Sequence, residues 1–413
     1  MFLQSILNPI KLTPLQLNRW SMIYNFITYV VLFIVISNRL LSSVYLELNF
    51  AKHLFQNLTS LFALINLIIF IKHKQYLYVY IALIALILGV IVKIYSSSSV
   101  ILFFVSFTLA FSRLNYKYAM YVYIASIFTF TLATFSFFYL DLFDHAIFMM
   151  RGDNIRETFG FRHPNALGAV SFFLCLTIWC LSNRQIHNIV AISLSFVIFI
   201  FLQNYVDSRT AQHMLCLLLL IAIVYELAKY FKFNEDGFFT NFIVKNLLVY
   251  SFIILAIAFI IFVILFNSES SFYNSLDELF SSRLSLCHTA FNSLDITLFG
   301  QKLNLSDVDP FSLGSVSAVR YLILDPFCIS ILFKNGIVSL VFFALCFTYI
   351  SKKAISHKEY KIAIAIALIS IYGLMENMIA TISYDIFIFM GMMSFNKFTV
   401  KQNLPNIFLV DNL

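Results

Sequence analysis

Long apolar segments recur along the whole sequence, and this feature limits the possible folds more than any other. Runs of about 18 or more apolar residues are typical of helices that cross a membrane. Hydrophobic residues make up 61% of the 413 residues, and charged residues only 11%. The alternating segments that a membrane β-barrel requires do not occur. The sequence therefore predicts an all-α integral membrane protein, in which residues 1–413 form a single polytopic domain.

About twelve segments fit a membrane-spanning helix in length and hydrophobicity. The first is expected to be a retained helix, because no small-residue cleavage site follows it. The segments lie near residues 20–38, 54–71, 76–95, 99–112, 119–140, 165–182, 188–205, 210–229, 246–267, 325–350, 360–375 and 378–395.

Lysine and arginine are placed unevenly among the connections, which indicates the orientation of the chain. Cytoplasmic loops of membrane proteins carry an excess of these residues. With the N-terminus inside, every inner connection holds basic residues, for example Lys72, Lys229 and Lys352. We therefore expect a multi-pass protein of the plasma membrane with both termini in the cytoplasm. The net charge of +7 follows from this topology and predicts no nucleic-acid partner.

Two outer connections are longer than a link between helices needs. Residues 141–164 form the first large extracytoplasmic loop, and residues 268–324 form the second. Both hold arginines that the positive-inside tendency would place on the other side. The functional residues are therefore expected in these loops.

The segment RETFGFRHPNALG, residues 156–168, combines polar and charged side chains with the start of an apolar run. Pro164 suits the first turn of a helix, and Asn165 or a preceding polar residue is placed to cap it. Gly168 allows another element to approach the helix closely. His163 is either a cap or a catalytic base.

Three arginines lie close in sequence to this predicted helix start: Arg151, Arg156 and Arg162. A helix N-terminus carries a positive partial charge and binds anions. Together with the arginines it predicts a phosphate-binding site at the outer membrane surface. The alternative is structural, since the arginines would then fix the loop or reach lipid head groups.

The segment VDSRTAQ, residues 206–212, stands at the outer end of the next span. Asp207 or Ser208 is placed to cap this helix, and Arg209 falls in its first turn. A cation there opposes the helix dipole, so Arg209 is expected to have an anionic partner. That partner is either Asp207 or an anionic substrate.

Five apolar residues of the late loop fall on one face at helical spacing: Leu276, Phe280, Cys287, Phe291 and Leu294. Arg283 lies in the same line, and a cation in an apolar stripe is a stronger functional candidate than one on a polar face. His288 is turned about 140° away from it on a helix and is not expected to act with it.

Glu376 lies in YGLMENM, between the last two predicted spans and near the outer side. Membrane-embedded carboxylates are costly and often functional, whereas a short loop would leave Glu376 in water. Motifs for dinucleotides, nucleotide phosphates or zinc, and paired cysteines, do not occur. We expect neither a metal nor another cofactor.

Four segments, in this order and membrane placement, resemble the bacterial polysaccharide polymerases called Wzy: FGFRHPNALG, DSRT, SSRLSLCHTAFNSLDITLFG and FKNGIVSL. The chain is also similar to the broader superfamily that includes the O-antigen ligases. The resemblance covers roughly residues 150–390, and the first five spans match only in hydropathy.

The resemblance implies a GT-C-like polytopic bundle that polymerises undecaprenyl-diphosphate-linked oligosaccharide repeat units at the outer face of the plasma membrane. The polymer would be a capsule, an O-antigen or an exopolysaccharide. A chain-length regulator and a flippase of the same pathway are implied partners, beside membrane lipid. The chain departs from the spacing of arginine and glycine found in some members, because Gly168 is one residue too far from Arg156. The late-loop histidine motif of the ligases is also not clearly present, which favours polymerase over ligase and leaves the base open.

The family's first-loop arginines match Arg151, Arg156 and Arg162, and its late-loop arginine matches Arg283. The expected catalytic residues are Arg156, Arg283, His163 and Glu376. The residues expected to bind diphosphate or sugar are Arg151, Arg162, Asn165, Arg209 and Asp207.

Three other functions stay open. A lipid-linked oligosaccharide ligase would use the same chemistry with a different acceptor. A flippase or transporter of the same lipids would also need many spans, but the long late loop and the lack of internal repeats disfavour it. A non-enzymatic membrane scaffold would not need arginines concentrated at the outer face.

Overall fold

The computed structural model describes residues 14–41, 43–44, 49–142, 148–151, 154–232, 234–303, 324–393 and 395, with the backbone alone for 14–21, 49–55, 148–151 and 154–155. Its helices are α1 (Pro14–Leu41), α2 (Asn49–Lys72), α3 (Tyr76–Ser96), α4 (Val100–Ala110), α5 (Tyr116–Tyr139), α6 (Pro164–Leu181), α7 (Gln185–Phe201), α8 (Arg209–Tyr230), α9 (Glu235–Thr240), α10 (Phe242–Val249), α11 (Ser251–Ile264), α12 (Ser271–Leu279), α13 (Arg283–Ser293), α14 (Phe327–Asn335), α15 (Ile337–Ser356) and α16 (Tyr360–Tyr372). The strands are β1 (Phe148–Arg151) and β2 (Asn154–Glu157).

Seven of the described helices are long and apolar enough to cross a membrane: α1 over Met22–Leu41, α3, α5, α6, α7 with a π turn to Val206, α8 and α15. The count is eight if α10 and α11, which are bent by 67°, form one span. Shorter apolar helices cover Gln56–Lys72, α4 and α16. These helices indicate a membrane protein. The count of twelve spans stays a prediction, since the described residues hold seven or eight that pass this test.

The structure differs from the prediction over the last predicted span, residues 378–395. The described residues there form the short 3-10 helices Met378–Ala380 and Phe387–Met392 instead of an α-helix. Asp385 Oδ1 accepts a hydrogen bond of 2.7 Å from the backbone N–H of Phe387. Side-chain bonds to nearby backbone compete with α-helical hydrogen bonding, and the segment is apolar without forming an α-helix.

The predicted span 325–350 is divided at Gly336 into α14 and α15. Gly336 has a φ of +87°, a conformation that favours glycine. The late loop packs against this break, because the N–H groups of Ile337 and Val338 donate to Thr297 O and Leu298 O over 3.0 and 3.1 Å. A side chain at Gly336 would collide with the backbone of Leu298.

Both predicted loops contain secondary structure. The first, residues 141–164, holds the antiparallel hairpin β1–β2, in which Met149 pairs with Arg156. The second, residues 268–324, holds α12 and α13, while its residues 304–323 lie outside the described part. The described part of the chain is therefore mostly helical, with one small hairpin.

Helix α6 lies at the centre of the bundle. Within its span 78% of the residues are buried, against 22–33% in the other six. It packs against α5, α7, α8 and α16. The ring of Phe172 stacks on that of Tyr372 with 5.3 Å between the centroids. The start of α6 is thereby brought beside the end of α16 and the start of α8, where polar residues meet.

Candidate active site around Glu376

Glu376 is a buried carboxylate in the loop that follows α16, and it is only 3% exposed. Its Oε1 accepts hydrogen bonds from Arg283 Nη2 at 2.9 Å and Asn165 Nδ2 at 2.9 Å. Thr210 Oγ1 donates to the same oxygen over 3.3 Å. The starts of α6, α8 and α13 therefore converge on one carboxylate. We call Glu376, Arg283, Asn165, Thr210, Arg156 and Asp325 the Glu376 cluster.

Arg283 opens α13 and is 8% exposed, as expected from its place in the apolar line. Its Nη2 lies 3.2 Å from Asp325 Oδ2 as well as 2.9 Å from Glu376 Oε1. Its Nη1 donates to Phe280 O over 3.4 Å. Its Nε is buried without a hydrogen-bond partner in the described part of the chain. Arg283 is thus held between two carboxylates and keeps one donor unused.

Asn165 links the two arginines of the cluster. Helix α6 begins at Pro164, as predicted, and His163 is its cap, since His163 Nδ1 accepts from the backbone N–H of Asn165 at 3.0 Å. The Oδ1 of Asn165 accepts from Arg156 Nη2 over 3.2 Å, while its Nδ2 donates to Glu376. The cap directs Asn165 into the cluster, and the ring of His163 has a structural role there.

Arg156, on β2, is 5% exposed and connects the first loop to the start of α8. Its Nε donates to Val206 O over 3.4 Å and lies 4.0 Å from Asp207 Oδ2. Asp207, predicted as a partner for Arg209, thus pairs with Arg156. It adopts the left-handed conformation, with φ of 45°. The pair of Arg156 and Asp207 joins the first loop to the connection between α7 and α8.

The other three predicted arginines lie in the first loop or at the start of α8. Arg162 is exposed and donates from Nε to Val44 O over 2.9 Å. Arg209 is exposed at the first position of α8. Arg151 pairs with Asn154 at the end of the hairpin, and its side chain is outside the described part. The three stay predictions as substrate-binding residues.

Burial raises the pKa of Glu376 to about 7, against the opposing charge of Arg283. The neighbouring carboxylate of Asp325 acts in the same direction as burial. The pKa of Asp325 is also raised by burial. The cluster reaches the surface at Asp325, whose side chain is 34% exposed. A carboxyl group that titrates near neutral pH suits proton transfer.

Two members of the cluster, Thr210 and Asp325, were not among the predicted site residues. Thr210 follows Arg209 directly in the DSRT segment. Asp325 precedes Pro326, and the N–H of Phe327 donates to Gly373 O over 2.7 Å, which joins this turn to the Glu376 loop. Gly168 confirms the predicted close approach, because a methyl group there would collide with Ser208 and Ala211.

No protein-family model, no curated protein and no solved structure matches this chain. Within the described ranges, no three His, Cys, Asp or Glu side chains are grouped so as to hold a metal ion. The residues of the Glu376 cluster themselves define the chemistry that this site can perform.

Proposed function

We propose that this chain is a glycosyltransferase that polymerises undecaprenyl-diphosphate-linked oligosaccharide repeat units into surface polysaccharide at the outer face of the plasma membrane. One observation carries the proposal: the buried carboxylate of Glu376 shares a hydrogen-bond network with Arg283 and, through Asn165, with Arg156. This combination offers a base for a sugar hydroxyl and cations for a diphosphate. The resemblance of the same segments to Wzy polymerases supports it.

In the proposed step, a hydroxyl oxygen of the incoming repeat unit attacks the anomeric carbon of the growing chain. The bond between that carbon and the diphosphate oxygen breaks, and the lipid diphosphate leaves with the electron pair. Glu376 takes the proton of the attacking hydroxyl. A base with a pKa of about 7 matches the pH at which it must both accept and release a proton.

Arg283 couples this proton transfer to the leaving group. Its Nη2 contacts both Glu376 and Asp325. When Glu376 becomes neutral, Arg283 loses one of its two negative partners, and its charge turns to the diphosphate oxygens on which negative charge develops. The buried Nε, unpaired among the described residues, supplies a further donor to a phosphate oxygen.

The exposed arginines have a binding role in this account. Arg209 at the start of α8 directly precedes Thr210, and Arg162 lies three residues before Asn165. The start of α8, which has no side-chain cap, presents N–H groups toward an anion. Together with Arg151 they attract the anionic lipid-linked substrates before the chemical step.

The proposal is tested in a strain that lacks the gene. Wild type, Arg156→Ala, Arg283→Ala and His163→Ala are expressed at matched membrane levels, and the surface polysaccharide is sized on a gel. Lys302→Gln, which removes an exposed cation of the late loop, is the control. We expect single repeat units in the deletion strain, long chains with wild type and control, and no long chains with the arginine variants.

The alternatives give other outcomes. If the deletion strain accumulates lipid-linked units on the inner leaflet, the protein is a flippase. If the deletion strain makes polymer of normal length that stays on its lipid carrier, the protein is a ligase. Either result would overturn the proposed polymerisation. Long chains from His163→Ala would leave His163 the role of helix cap alone.

A further inference from the structure

A basic cavity lies at the opposite end of the bundle from the Glu376 cluster. Thr210 and Glu376 lie near the start of α8 and after the end of α16, whereas the cavity adjoins the residues after α8 and the start of α16. Its volume is about 300 Å³. The polar lining includes Asp236, Thr240, Lys245, Lys352, Ser356 and Lys358.

The charges around this cavity are unbalanced. Lys358 Nζ pairs with Asp236 Oδ2 at 2.5 Å, and the hydroxyl of Tyr360 donates to Asp236 Oδ1 at 2.5 Å. Lys245 and Lys352 are exposed, and neither has an ion-pair partner in the described part of the chain. The cavity is thus lined by three ammonium groups and one carboxylate, and Lys358 already pairs with that carboxylate. Lys245 and Lys352 can therefore both donate hydrogen bonds to a bound anion.

Exposed apolar side chains lie close to Lys245 on helix α10. Helix α10 exposes Phe242 and Ile243, by 79% and 66%, together with Lys245 on the same short element. It meets α11 at 67°, so α10 runs closer to the membrane plane if α11 crosses the membrane. Exposed apolar residues next to lysines on such a helix are typical of a membrane–water interface.

We propose that this cavity binds the head group of an anionic phospholipid. The lipid phosphate accepts hydrogen bonds from Lys245 and Lys352, and the acyl chains cover Phe242 and Ile243. The adjacent apolar side chains favour a lipid over a small water-soluble anion, because a small anion would leave them in water. This inference is independent of the proposed polymerisation.

The test uses the purified full chain in detergent, titrated with phosphatidylglycerol or phosphatidylcholine, with bound lipid counted by native mass spectrometry. The double variant Lys245→Gln/Lys352→Gln is compared with Lys74→Gln/Lys232→Gln, which removes the same charge from exposed lysines outside the cavity. We expect the first pair to weaken phosphatidylglycerol binding roughly tenfold or more, and the control pair to change it little. Lys245→Arg/Lys352→Arg should retain it.

Three results would overturn the proposal. Equal loss in both double variants would mean a general charge effect. Equal affinity for phosphatidylcholine and phosphatidylglycerol would mean that the lysines do not select an anionic head group. Displacement of the lipid by millimolar inorganic phosphate would identify a site for a free anion. Thermal unfolding of each variant, measured alongside, separates loss of binding from loss of fold.

Discussion

Two buried charged residues lie at opposite ends of the central helix α6, and they are held in different ways. Near the end of α6, Lys361 Nζ donates to Ser182 O at 2.7 Å, Asn188 Oδ1 at 2.6 Å and Trp179 O at 3.2 Å. These carbonyl oxygens mark a helix C-terminus, which favours a cation. Near the start of α6, Glu376 is held by a cation and two neutral donors.

These different surroundings indicate a structural role for Lys361 and a chemical role for Glu376. The hydrogen bonds of Lys361 go to the end of α6 and the start of α7, and its Nζ also lies 3.8 Å from Glu226 Oε1 of α8. Removing Lys361 would leave Ser182 O without its donor. In the Glu376 cluster, Arg283 is shared between two carboxylates and keeps a free Nε, and the edge at Asp325 is 34% exposed. Such an arrangement is expected where protons and anions exchange.

The largest expected effect is that of Glu376→Gln. It keeps the size of the side chain and an acceptor for Arg283, but it removes the base, so polymerisation should fall roughly 10²- to 10⁴-fold while the protein stays folded. The initial rate of chain extension by purified protein measures it. Glu278→Gln, an exposed glutamate on α12, is the control. Wild-type rates in Glu376→Gln would remove Glu376 from the chemistry.

Arg283→Lys should have the next largest effect. A lysine keeps the charge but cannot contact two carboxylates and a phosphate with one planar group, and we expect roughly a hundredfold lower rate. The rate of undecaprenyl diphosphate release is the measurement. If the control Lys302→Gln lowered the rate as much, the loss of rate would come from the overall charge of the late loop and not from Arg283.

Lys361→Met tests the other half of the comparison. It should lower the free energy of unfolding by about 2–3 kcal/mol, because Ser182 O loses its donor and Glu226 Oε1 loses its cationic partner. Activity per folded molecule should be unchanged. Denaturation in detergent and a rate assay on the same sample decide this. A normal stability with a lost activity would reverse the two assignments.

The smallest expected effect is a pH dependence. Glu376 must be deprotonated to act, so the rate should fall about tenfold per pH unit below its pKa of about 7. Stability should change in the opposite sense. Folded Glu376 keeps its proton up to about 7 while the unfolded chain releases it near 4.5, so the unfolding free energy falls as pH rises through this window. A pH–rate profile and unfolding at several pH values measure the two, and Glu376→Gln should flatten the stability profile.

Local signals in the sequence predicted part of this site. The start of α6 at Pro164 follows from proline and a polar cap, and the burial of Arg283 follows from apolar residues at helical spacing. Neither signal predicts the contact between Asn165 and Glu376, which are 211 residues apart in the sequence. A pairing of that kind is set by the packing of the whole bundle.

Hydropathy was a weaker guide to the last segment. Residues 387–390 are apolar and at most 1% exposed, as a spanning helix would predict, but they form 3-10 turns inside the protein. A segment buried among other helices and a segment facing lipid have the same composition, so hydropathy does not distinguish them. In the structure, the carboxylate of Asp385 accepts a hydrogen bond from the backbone of Phe387 at the start of these 3-10 turns.

The central claim is tested most directly with the purified chain in proteoliposomes that contain undecaprenyl-diphosphate-linked repeat units. The lengths of the products and the undecaprenyl diphosphate released are followed together. We expect chains that grow by whole repeat units, with one undecaprenyl diphosphate released per new bond, and no growth with Glu376→Gln. Repeat units that cross the bilayer without forming any bond, or equal growth with Glu376→Gln, would contradict the account.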